Sequence, residues 1–231
     1  MSTLAELQEA IGFPFADDSL LREALVHRSY INENLSFPSC DNQRLEFLGD
    51  ALLDFVAGDY FYRHYPKMRE GELTSLRAAL VKEETLARFA QTLDLGHYLY
   101  LGRGEEESGG RERPSLLADA FEALVGALYL DGGVKAAKRF ILRFLEPETE
   151  RIVAQGEVRD YKSLFQEEAQ RRFQATPLYR TVDERGPDHN KLFIVEVLIG
   201  EKVYGRGQGR SKQAAEQEAA RQALDKIASD E

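Results

Sequence analysis

Four carboxylates stand out by type and spacing. In Asn42-Gln43-Arg44-Leu45-Glu46-Phe47-Leu48-Gly49-Asp50 the acids Glu46 and Asp50 are four residues apart, and in Leu116-Leu117-Ala118-Asp119-Ala120-Phe121-Glu122-Ala123 the acids Asp119 and Glu122 are three apart. On a helix either spacing puts both side chains on one face. Leu45, Leu48 and Leu52 point toward a core, Gly49 borders the first pair, and Ala118, Ala123 and Gly126 flank the second. If the two small-residue faces meet, four carboxylates converge. Like charges that close repel unless a hard divalent cation compensates them. Such a cation polarises a phosphodiester, lowers the pKa of an attacking water and stabilises the leaving oxygen. Acids at these spacings also serve as plain solvated faces, and pattern alone leaves both readings open.

The elements that must position these acids are helical. From Leu4 to about Ile152, apolar residues recur at three- and four-residue spacing in Leu20–Val26, Leu45–Phe61, Leu73–Leu93, Ser115–Leu130 and Val134–Ile152. Turn signals at Phe37-Pro38-Ser39, Tyr65-Pro66, Leu95-Gly96 and Asp131-Gly132-Gly133 separate them. The glycine-rich, charged stretch from Gly102 to Pro114 reads as an exposed, mobile loop. Residues 4–154 thus form an all-helical domain, with 155–159 as linker. After it, residues 160–229 change period: an amphipathic helix over Asp160–Phe173, strands near Tyr179–Asp183, Leu192–Ile199 and Lys202–Arg206, and a closing helix capped by Ser211 and reaching about Ala228. Gly200-Glu201 suits a tight hairpin. The order α-β-β-β-α gives a small α+β domain with both helices on one face of the sheet.

Charge and composition narrow the function classes. The 231 residues carry a formal charge of −10, which opposes a nucleic-acid partner at first sight. From Arg159 onward, however, 13 basic residues balance 13 acidic ones, and the other 17 basic and 27 acidic residues carry the whole excess. Acid concentrated in the helical part is a solvated surface or a collector of divalent cations. No apolar run approaches a membrane span, the N-terminus lacks a secretory pattern, and the single cysteine, Cys40, reads as a thiol of a reducing cytoplasm. His27 and His64 read as structural. No His-Glu-x-x-His or cysteine–histidine zinc spacing occurs, and Gly205-Arg206-Gly207-Gln208-Gly209-Arg210 fails as a dinucleotide fingerprint because Arg210 takes the third glycine's place.

The segments 42–50 and 116–133, together with His27-Arg28-Ser29-Tyr30, Glu70-Gly71-Glu72-Leu73, Gly102-Arg103-Gly104-Glu105 and Ser108-Gly109-Gly110-Arg111, resemble the ribonuclease III family in order and over essentially the whole chain. The resemblance implies a double-strand-specific endoribonuclease. Glu46, Asp119 and Glu122 would contact Mg2+ directly, with Mn2+ as a substitute. Asp50 would orient metal or water, Glu70 would be an accessory acid, and Phe47 would insert into the partner subunit of a homodimer. Products would carry 5′-phosphate and 3′-hydroxyl ends with short 3′ overhangs, from ribosomal precursor and other transcripts. Gln43 stands where many relatives carry an acid that engages substrate near the scissile bond.

Residues 160–228 are similar to a double-stranded RNA-binding domain, through 160–167, Gly186-Pro187-Asp188-His189 and 207–215. A-form RNA exposes 2′-hydroxyls in a shallow minor groove, so such a domain reads shape. The resemblance gives Gln166 and Glu167 to one minor groove and the Pro187–His189 loop to the next. Arg210, Ser211 and Lys212, at a helix N-terminus, go to phosphate. Lys212-Gln213 replaces a common pair of lysines, which weakens one phosphate contact. A non-catalytic binder of duplex RNA is the rival reading. The complete acidic set separates the two, and a phosphohydrolase for small substrates leaves the second domain without a purpose.

Overall fold

Helix starts in the computed structural model follow local capping chemistry. It describes residues 3–154, 160–186 and 191–229. Thr3 and Glu6 form a capping box on α1 (Leu4–Ile11), Asp17 accepts the Ser19 N–H to start α2 (Asp18–Ala24), and His27 Nδ1 accepts the Ser29 N–H to start α3 (Arg28–Glu33). Then come α4 (Gln43–His64), α5 (Glu70–Leu80), α6 (Glu83–Thr92), α7 (Leu95–Tyr98), α8 (Arg103–Glu107), a 3-10 turn over Gly110–Glu112 and α9 (Pro114–Ala154). These belong to the first of two compact units, Met1–Val158, the second being Arg159–Glu231.

The first unit is built around α4 and α9. Leu45, Leu53, Val56, Ala57 and Phe61 of α4 and Leu117, Phe121, Leu124, Val125 and Leu128 of α9 are all buried in one cluster. Phe121 gathers the rings of Phe89, Phe140 and Phe144 at centroid distances of 5.4–5.6 Å. One sequence expectation changes here. The apolar run Leu73–Leu93 is two helices, because the chain turns at Val81 and Lys82, and the turn's start is locked by Thr85 Oγ1 donating to Ala79 O. The expected turn at Asp131-Gly132-Gly133 is present as a kink that joins two helical stretches within α9. Gly133, at φ 72° and ψ −179°, breaks the helical path there, and Asp131 accepts the Ala16 and Asp17 N–H groups.

The stretch 102–114 is ordered rather than a mobile loop. Arg111 donates to the carbonyls of Gly96, His97 and Leu99 and pairs with Glu106, Arg113 pairs with Glu105, and Gly110 is buried against the Glu105 carbonyl. Polarity misled the sequence reading: the charged side chains bind the segment to backbone instead of solvating it.

In the second unit, α10 (Tyr161–Phe173), β1 (Leu178–Arg185), β2 (Leu192–Ile199), β3 (Lys202–Gly209) and α11 (Lys212–Ser229) form the α-β-β-β-α order, with an antiparallel sheet ordered β1-β2-β3. Gly200, at φ 61°, turns the β2–β3 hairpin. Gly205, Gly207 and Gly209 lie on one face of β3, and a Cβ on any of them would overlap the α11 backbone at Ala214–Ala223. The glycines that superficially matched a nucleotide loop therefore exist for close helix–strand packing. Phe165, Val197, Ala219, Ala220, Ala223 and Ile227 make the core. The expected linker, residues 155–159, lies outside the described residues.

Candidate active site

The acids are placed by a backbone-to-backbone crossing. A Cβ on Gly49 of α4 would overlap the Glu122 carbonyl of α9, and a Cβ on Gly126 of α9 would overlap the Leu45 carbonyl of α4. Only glycine at both positions lets the helices approach this closely. The crossing carries Glu46 beside Asp119 and Glu122, and one carboxylate oxygen from each lies within 4.8 Å of the others. Asp50, a turn further along α4, is exposed but adds its charge to both Glu46 and Glu122.

Such a cluster cannot stay fully ionised without compensation. Burial, then the charges of Asp50, Asp119 and Glu46, push the Glu122 carboxyl up to about 8. Glu46 is raised by burial and by Asp119, Asp50 and Asp41, and Asp119 by burial and Glu83. The donor set, three half-buried carboxylates with unneutralised charge, fits a hard divalent cation such as Mg2+ or Mn2+. Asp41 and Glu83 are contributors that the sequence reading did not single out. Asp41 stands two residues before Gln43, where it supplies charge near Glu46. Glu83 was hidden by the helix break it follows.

The surrounding frame is hydrogen-bonded. Asn42, buried before α4, donates its N–H to Val26 O at 2.9 Å, and its own carbonyl accepts the Glu46 N–H at 2.9 Å. His27 has a structural role: Ser29 Oγ lies 2.8 Å from its Nδ1 and accepts the Gly102 N–H at 2.9 Å. His64 bonds the Tyr60 carbonyl and stacks on its ring. Of the remaining expected residues, Gln43 is exposed at the first turn of α4. Glu70 is exposed at the start of α5, where Thr74 donates to it, and it is not among the charges coupled to the cluster. Phe47 is 79% exposed, and Phe55 at 65% and Tyr62 at 77% extend an uncovered apolar stripe along α4.

In the second unit Gln166 and Glu167 are exposed on α10, opposite the buried Phe165 and Ala169. Ser211 Oγ accepts the Ala214 N–H and caps α11. Arg210 is exposed beside it, and Lys212 lies 3.5 Å from Glu184 and over the Phe193 ring. Pro187 and His189 lie outside the described residues.

Comparison with known proteins agrees with both units. Residues 17–148 match the Ribonuclease-III-like family and residues 161–227 the double-stranded RNA binding motif. The chain is 48% identical over 224 residues to Ribonuclease 3 of Dehalococcoides mccartyi, covering 97% of this chain and 94% of that one. It is 49% identical over 221 residues to Ribonuclease 3 of Geobacter sulfurreducens, covering 96% and 89%. Among solved structures, the nuclease domain of ribonuclease III from Campylobacter jejuni aligns with a TM-score of 0.58 at 42% identity, covering 64% of this chain and 97% of that one. A second structure of that domain describes flexibility in its region involved in dimer formation. With a helical unit that converges three acids and a second unit of the RNA-binding motif, the chain belongs to the ribonuclease III family.

Proposed function

We propose that the chain is a divalent-metal-dependent endonuclease that cuts double-stranded RNA, acting as a homodimer. The observation that carries this reading is the convergence of Glu46, Asp119 and Glu122 across the Gly49–Gly126 crossing. A bound Mg2+, or Mn2+ in its place, supplies Lewis-acid activation of water and neutralises charge on the phosphodiester. The chain's own residues do the rest. Glu46, Asp119 and Glu122 hold their oxygens at fixed separation because each sits within a turn of a glycine-packed backbone contact. Asp50, exposed at the rim, orients the attacking water, and Gln43 and Glu70 face the substrate further out. The strands separate with 5′-phosphate and 3′-hydroxyl ends and a short 3′ overhang.

Duplex selection is shared with the second unit. Gln166 and Glu167 present hydrogen-bonding groups toward one minor groove, and contact with the next is assigned to Pro187 and His189. Arg210, Ser211 and Lys212 meet the phosphates between them. Lys212 must leave Glu184 to do so. Phe47 anchors the dimer, as the largest exposed ring beside the acids. Domain limits of 4–154 and 160–229 and a cytoplasmic setting belong to the same reading; among the described residues no helix is long and apolar enough to cross a membrane.

The test incubates duplex RNA with wild type and Glu122→Gln, in Mg2+ and in EDTA. Cutting by wild type in Mg2+ alone, beside a variant that binds without cutting, is the expected result. Uncut RNA in every lane, with binding retained, replaces the enzyme with a duplex-RNA binder.

A further inference from the structure

Two arginines near the Glu46 end of α4 have guanidinium groups with no ion pair among the described residues. Arg28 is the first residue of α3 and Arg103 the first of α8. These helix starts are side by side: Ser29 Oγ accepts the Gly102 N–H at 2.9 Å and Glu33 accepts the Arg103 N–H at 3.0 Å. A chain of backbone bonds then leads to the acids. His27 N–H donates to Tyr100 O at 3.1 Å, Asn42 N–H to Val26 O, and Glu46 N–H to Asn42 O. Arg28 and Arg103 therefore stand at the end of α4 that carries Glu46, and His27, next to Arg28, feels the charge of Asp119.

Both arginines are exposed, and among the described residues neither guanidinium makes an ion pair or a side-chain hydrogen bond. Arg63, Arg88, Arg111 and Arg113 of the same unit are paired with acids, whereas Arg44 and Arg139 share the unpaired state, so position as well as freedom sets Arg28 and Arg103 apart. The contrast matters because this unit carries the chain's acid excess, and a phosphodiester approaching an acidic cluster meets repulsion from it. An unpaired guanidinium has no internal bond to break before it takes a phosphate through two parallel N–H donors.

Resting on the nuclease reading above, we propose that Arg28 and Arg103 are substrate-positioning residues that each take a backbone phosphate of the RNA beside the scissile bond. They are not part of the acidic machinery. They offset, on the substrate's side, the charge that the acids present.

The test uses the full chain and separates binding from cutting. Duplex RNA affinity is measured by fluorescence anisotropy across a salt series with Ca2+ in place of Mg2+, for wild type, Arg28→Ala, Arg103→Ala, the double alanine variant and the double lysine variant. Arg139→Ala, an exposed arginine of α9, is the control. Each alanine substitution should weaken binding about 3–10-fold and reduce the slope of log affinity against log salt by about 1. The double lysine variant should recover the slope, since charge is kept, and Arg139→Ala should match wild type. In Mg2+ the alanine variants should raise KM with kcat within about twofold of wild type. A double alanine variant with wild-type affinity and slope overturns the proposal, as does a loss of kcat at unchanged KM. Thermal unfolding of each variant checks the fold, and the lysine variant carries the test if an alanine variant unfolds. Wild type that binds duplex but never cuts it in Mg2+ refutes the nuclease reading instead, and the salt slopes still report the phosphate contacts.

Discussion

Replacing Glu122 by Gln should stabilise the metal-free protein while abolishing its activity. In the metal-free fold the Glu122 carboxyl titrates at about 8 against 4.5 for an ordinary glutamate, because it is partly buried among Asp50, Asp119 and Glu46. The folded state thus holds a proton that the unfolded chain has released, so stability is fully present below pH 4.5 and is lost as pH rises to about 8. A change from 4.5 to about 8, at 1.36 kcal/mol for each tenfold in proton affinity, bounds the penalty at about 5 kcal/mol. Glu122 is only part-buried, so screening reduces this to about 1–2 kcal/mol. Gln keeps the shape and carries no charge. In EDTA at pH 8 its melting temperature should exceed that of wild type by about 2–8 °C. The gap should close toward pH 5, where Glu122 is protonated. His27, whose pKa is lowered by burial, acts with the opposite sign in both proteins and cancels in the difference. Excess Mg2+ should reverse the order, since a ligand that binds only the folded state stabilises it, and wild type binds it more tightly. A variant no more stable than wild type at pH 8 in EDTA, or a gap independent of pH, would refute the electrostatic account.

Other substitutions test the frame around the acids. Gly49→Ala forces α4 away from the Glu122 carbonyl and should cost about 1–3 kcal/mol, with a loss of cutting larger than the loss of fold, measured by denaturant unfolding and duplex cleavage. Arg111→Ala leaves the carbonyls of Gly96, His97 and Leu99 without their shared donor, so it should cost about 2–4 kcal/mol and raise amide exchange across 96–113. Unchanged exchange there would return this segment to the status of a loop. Phe47→Asp places a charge on the most exposed ring of α4 and should yield monomers in sedimentation; an intact dimer removes Phe47 from the interface.

The acids were legible because helical periodicity fixes faces: Glu46 with Asp50 and Asp119 with Glu122 follow from spacing. Gly49 and Gly126 further announced a close crossing, which the structure contains. The α-β-β-β-α order was legible for the same reason, a change of period after the linker. What stayed hidden depends on contacts distant in sequence. The turn at Val81 falls within an unbroken apolar pattern, so one helix was read where two exist, and Glu83 was missed with it. The strap 102–114 looked disordered because nothing in its composition says that Arg111 finds three carbonyls around residues 96–99. The alternating glycines of β3 carried a true signal of close packing, but whether helix or ligand fills the space is settled only by α11.

The most direct test of the central claim is a Mn2+ titration followed by electron paramagnetic resonance on the full chain at pH 7.5, without RNA. The account predicts that wild type removes free Mn2+ from solution in a saturable way, that Mg2+ competes it off, and that Asp119→Asn and Glu122→Gln each weaken the binding at least tenfold. Mn2+ that stays free with wild type, or binds equally to all three proteins, would contradict a metal site at Glu46, Asp119 and Glu122.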